Sequence, residues 1–157
     1  MATWTNEDGL LVRYALDDGA KVADDGLSHA ENEMIRVRVT DGALLVDTDT
    51  AAEAGDRPFV PEGAIITDAY FRVDTAFTSG GASTLDIGTK LAAGTTVDAD
   101  GIDVDIALTA IDAVGDVIVC DGAQIGVRAS ADWYPTLSYE TAAFTGGAGE
   151  LIIKYMK

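Results

Sequence analysis

A chain of 157 residues, 48% hydrophobic and with only three prolines, can build one packed domain and is not a wholly disordered polymer. Ten Lys and Arg against 27 Asp and Glu leave a formal charge of −17. That excess excludes nucleic acid and anionic lipid as direct partners, because both are held by basic side chains that neutralise phosphate.

The first eight residues carry neither a basic n-region nor an apolar h-region, so no signal peptide is expected. No apolar run approaches the roughly 20 residues of a membrane span. Asp17-Asp18-Gly19, Asp24-Asp25-Gly26, Asp41-Gly42, Gly80-Gly81, Asp100-Gly101, Asp121-Gly122 and Gly146-Gly147 all read as turns. Glycine accepts positive φ there, and aspartate caps its own backbone.

Between the turns, apolar and polar residues alternate as half-buried strands require. In chain order the predicted strands are 10–15, then Ile35, Val37 and Val39 against Arg36 and Arg38, then 43–47. Ala69, Phe71, Val73, Thr75 and Phe77 follow, against Tyr70, Arg72, Asp74 and Ala76. The remainder are 83–87, then Ile102, Val104 and Ile106 against Asp103, Asp105 and Ala107, then 115–120, 124–129, 137–141 and 150–156. Residues 51–55 and 91–96 hold a helical turn each at most. About ten short strands with regular turns predict an all-β antiparallel sandwich or barrel. The expected organisation is one domain over 1–157. Residues 1–60 form an arm with peripheral strands, ending at Pro58-Phe59-Val60-Pro61, and 61–157 form the core.

Few constellations carry chemistry. His29 is the single histidine and lies in a polar stretch without a Gly-x-Ser-x-Gly elbow, so no Ser-His-acid triad is expected. With one His and one Cys, a zinc site has no ligand set, and Cys120 reads as a small buried hydrophobe with no disulfide partner. No glycine-rich phosphate loop opens a helix. The candidate calcium ligands are Asp98, Asp100, Asp103 and Asp105, since hard cations favour clustered carboxylates. The same run also reads as a hairpin turn at Asp100-Gly101 followed by a strand's wet face. An enzyme would need acids such as Asp132 and Glu140 to converge in a pocket. Trp133 and Tyr134 are the adjacent aromatics that a sugar platform would use, and Trp4 is a candidate anchor in a partner's pocket.

The opening from Ala2 to Tyr14 resembles the start of small structural proteins of tailed bacteriophages. So do Phe59-Val60-Pro61-Glu62-Gly63-Ala64-Ile65-Ile66 with Phe71-Arg72-Val73, the run from Ser79 to Gly88, Leu108-Thr109-Ala110-Ile111-Asp112, and the ending from Thr141 to Tyr155. The resemblance implies a β-sandwich of jelly-roll type with an extended N-terminal arm, in a capsid decoration or cement protein. It implies a non-enzymatic protein on the capsid exterior, made in the host cytoplasm, that braces neighbouring major capsid subunits, with a homotrimer favoured and no cofactor. Shell contact is expected from Trp4, Leu10, Val12 and Arg13 in the arm and from Arg36 and Arg38. The alternative is a tail, baseplate or head-fibre module that binds glycan, with calcium, through Trp133, Tyr134 and the Asp98 to Asp105 cluster.

Overall fold

A computed structural model describes residues 2–5, 11–14, 32–47 and 58–157. The chain forms two compact units, Met1–Ala30 and Glu31–Lys157. In the first, β1 (Ala2–Thr5) pairs antiparallel with β2 (Leu11–Tyr14), setting Trp4 opposite Val12 and Thr3 opposite Arg13. The sequence reading found β2 and missed β1. Leu10, His29, the Asp17 and Asp24 turns and the segment 51–55 lie outside the described residues.

The second unit holds β3 (Asn32–Val39), β4 (Val46–Asp47), β5 (Ile65–Ser79), β6 (Thr84–Lys90), β7 (Thr96–Ala107), β8 (Val117–Val119), β9 (Tyr134–Glu140) and β10 (Phe144–Met156). They form two four-stranded sheets, ordered β3-β10-β5-β8 and β4-β9-β6-β7. This is an all-β sandwich, and its eight strands cross between sheets in jelly-roll order, with β4 joining β9 in parallel over two residues. β3 and β4 are edge strands of the sandwich, whereas Met1–Ala30 is a unit of its own.

The alternation read in β5 puts Ala69, Phe71, Val73 and Phe77 inside and Tyr70, Arg72 and Asp74 outside. β10 supplies Leu151, Ile153 and Tyr155 to the same core, and the facing sheet supplies Leu85, Ile87, Ile102 and Ile106. Phe77 stands between Phe71 and Phe144, with ring centroids 5.8 and 5.3 Å away. Each such fully buried side chain stabilises the fold by roughly 2 kcal/mol.

Four sequence readings are corrected. Asp100-Gly101 and Gly146-Gly147 are not turns but lie inside β7 and β10, at places where the pairing register shifts. Residues 124–129 form no strand: Gly126 at φ +81 breaks the extension, leaving one bridge between Arg128 and Ile65. Segment 43–47 is strand only at Val46–Asp47; it begins in a 3₁₀ turn, Gly42–Leu44, whose Ala43 amide donates to Asp41 Oδ1 at 3.0 Å. Segment 91–96, expected to hold a turn at most, does hold one, closed by the Leu91 amide donating to the Thr95 carbonyl at 2.8 Å.

The alternation read in β7 also breaks. Ile102 and Ile106 are buried, but Val104 faces out and Asp103 faces in. Leu85 and Ile87 pair with Ile106 and Asp103, so Asp86 alone on β6 opposes Val104 and Asp105 on β7. The extra residue is a β-bulge, and Asp105 takes it up at φ +54.

Candidate functional site

The outer face of the β3-β10-β5-β8 sheet carries a set of side chains aligned by strand register. Arg38 on β3 and Arg72 on β5 both stand opposite Glu150 on β10, and Val117 on β8 follows beyond Arg72. In the next row Ile152 stands between Arg36 and Tyr70, with Val119 at the edge. A third row holds Met34, Lys154 and Asp68.

Three guanidiniums cover one carboxylate. Glu150 is 1% exposed; Arg38 Nε donates to its Oε1 at 3.3 Å. Its Oε2 lies 3.3 Å from Arg72 Nη2 and 3.6 Å from Arg36 Nη1, without hydrogen-bond geometry to either. Arg72 also donates to Asp74 Oδ1 at 3.0 Å. That bond and its charge hold the Arg72 guanidinium above its ordinary range. Lys154 sits 5.1 Å above the Tyr70 ring, a cation–π contact. The face combines fixed cations with exposed Met34, Val117 and Val119. It has the chemistry of a contact surface.

Of the expected shell contacts, Arg36 and Arg38 come together here, with Arg72 as a third member. The sequence reading treated Arg72 only as a wet-face residue. Trp4, Val12 and Arg13 lie in the β1–β2 pair of the other unit.

The candidate calcium ligands do not converge. Asp98 and Asp100 pair with each other, and a hydrogen bond shared with Asp100, then burial, raises the Asp98 carboxyl. Asp103 is buried beside Cys120 and accepts from the Val104 amide at 2.9 Å. Asp105 sits on the bulge, its amide donating to Asp86 Oδ1 at 2.8 Å. Among the described residues, no three His, Cys, Asp or Glu are grouped to hold a metal ion. None of the described helices is long and apolar enough to cross a membrane.

The sugar-platform pair is divided as well. Trp133 is buried, tied to Val60 by two backbone hydrogen bonds of 2.9 Å. Tyr134 is half-buried against Phe59, with ring centroids 5.2 Å apart. Asp132 and Glu140 flank opposite ends of β9, roughly 25 Å apart at ~3.3 Å per residue, so they share no pocket. Cys120 is buried, as its setting suggested, and burial together with Asp103 pushes its thiol up to about 12.

Two buried carboxylates make a pH prediction. Burial raises Asp86 and Asp103 above the usual value of 3.8, against the lowering effect of the amides that donate to them. Burial penalises the charged form of each, and the fold bears that cost where they ionise. The native state takes up protons before the unfolded chain does, so stability rises as pH falls through the folded-state values. The unfolding temperature should therefore climb on acidification from neutral to just above 3.8. Asp86→Asn with Asp103→Asn should flatten that climb. Thermal melts across the range check this, and an equal climb in the double variant would refute it.

No protein-family model matches the sequence, and neither does any curated protein. Solved structures do. A chain of the cyanophage Pam1 capsid asymmetric unit superposes with a TM-score of 0.61 at 14% identity, over 92% of this chain and 99% of that one. A chain of the acidic stable capsid of Helicobacter pylori bacteriophage KHP30 does so at 0.52 and 11%, over 80% and 87%. A chain of the Ralstonia phage GP4 capsid gives 0.51 and 19%, over 88% and 92%. The chain shares its all-β fold with chains found in three phage capsid structures.

Proposed function

We propose that the chain is a non-enzymatic phage virion protein that binds the outside of the capsid shell and braces neighbouring major capsid subunits. The observation that carries this reading is the nearly end-to-end likeness to a chain of the Pam1 capsid asymmetric unit. A small chain of charge −17, with Arg36, Arg38 and Arg72 gathered on one sheet face, suits a protein that meets a partner through that face and water elsewhere. The mechanism is mass action. A protein that binds the intact shell and not its separated subunits stabilises the shell, by about 2.7 kcal/mol per site at a hundredfold excess over Kd. A homotrimer fits a threefold junction of subunits.

Purified chain added to particles stripped of it should restore their resistance to heat, without any need for divalent cations. Immunogold raised against the chain should cover the heads. Gold confined to a tail tip would move the chain to adsorption, and no gold on particles with an accessible epitope would overturn the virion reading.

A further inference from the structure

We propose that the outer face of the β3-β10-β5-β8 sheet docks a protein surface that presents carboxylates among apolar side chains. Resting on the capsid-bound reading, the partner is the shell.

The charge distribution points to this face. Four of the seven Lys and Arg with described side chains lie on it: Arg36, Arg38, Arg72 and Lys154 (the others are Lys90, Arg128 and Lys157). Three guanidiniums, each with five donors, meet the buried Glu150 carboxylate, and Arg72 also meets Asp74; the two carboxylates together offer about eight lone-pair positions against fifteen donors. Donors therefore remain for an outside acceptor, and the arginine side chains are 52%, 75% and 45% exposed.

Glu150 does more than neutralise them. By gathering three long side chains around one point, it removes rotamer freedom before a partner arrives, which lowers the entropy lost on binding. Beside the cations, Val117 and Val119 on the edge strand are 55% and 68% exposed and supply the apolar part of the contact.

The same charges argue against other occupants. A twofold contact between copies would set Arg36, Arg38 and Arg72 against their own duplicates, because such an interface uses the same patch on both sides. A polyphosphate chain would have to approach a molecule of charge −17.

The test is co-sedimentation of the full chain with particles stripped of it. Arg36→Glu with Arg38→Glu reverses the charge, and Val119→Asp removes the apolar edge without touching Glu150. Val104→Asp, exposed on the other sheet, is the control. Wild type and control should bind alike, while both face variants should lose at least about tenfold in affinity, with melting temperatures reported for each. Added salt should weaken wild-type binding. Folded face variants that bind like wild type would overturn this proposal and leave the shell-binding reading standing. Failure of wild type itself to bind would remove both. Self-association of wild type that the face variants abolish would make a second copy the occupant, and would also overturn it.

Discussion

Gly88→Ala should lower the unfolding free energy by about 3 kcal/mol or more, enough to threaten folding at growth temperature. A Cβ at Gly88 would stand 2.1 Å from the Ala99 carbonyl oxygen and 2.3 Å from that of Asp98. Both obstacles are backbone, so no rotamer change relieves them. The cause lies in the pairing of β6 with β7. Ile87 pairs with Asp103 and Thr89 with Asp98, so two steps along β6 span five along β7, and the excess chain folds against Gly88. An alanine would push β7 away and open the cover over buried Asp86 and Lys90. Urea denaturation checks this, and a loss below about 1 kcal/mol would show that β7 can move without cost.

Phe77→Ala should cost about 4 kcal/mol and lower the melting temperature by roughly 10 °C. The ring is 1% exposed and packs on Phe71 of its own strand β5 and on Phe144 of β10. Around it, Gly42 and Gly147 leave no side chain able to fill the void, because each lies so close that its missing Cβ is occupied by the ring. The hole would stay open, and cavity cost rises with its volume. Calorimetry on the purified chain measures the loss. Shell binding at low temperature should survive, since Arg36, Arg38, Arg72 and Val119 face the other side of the sheet. A melting temperature within 2–3 °C of wild type, corresponding to about 1 kcal/mol, would show that the core collapses into the gap.

The strands that carry this molecule were largely legible. Alternation in β5, in β3 and in the second half of β10 is a property of neighbouring residues, and a half-buried strand imposes it directly on the sequence. β7 misled because the bulge at Asp105 changes the phase partway along, so Val104 and Asp103 exchange faces. Gly146-Gly147 misled for a related reason. Glycine serves a turn and a bulged strand equally well, and only the partner strand decides between them.

The docking face was half legible. Arg36 and Arg38 stood out as cations alternating with apolar residues, but Arg72 and Glu150 each looked like one more wet-face charge. Glu150 is 112 residues from Arg38, and nothing in the local pattern of either shows that they meet.

What the sequence determined by itself was the all-β class, the inner faces of β3, β5 and the second half of β10, the burial of Cys120, and the acidic balance of the chain. These follow from composition and from a period of two, which any chain segment reveals alone. Tertiary structure decided the rest. Register across β3, β10 and β5 turned four scattered charges into one buried carboxylate beneath three arginines. It also sent Asp98, Asp103 and Asp105 to separate surroundings although they are close in sequence. Pairing between distant strands is set by the packing of whole sheets, so the chemistry that depends on it exists only once the sandwich has closed.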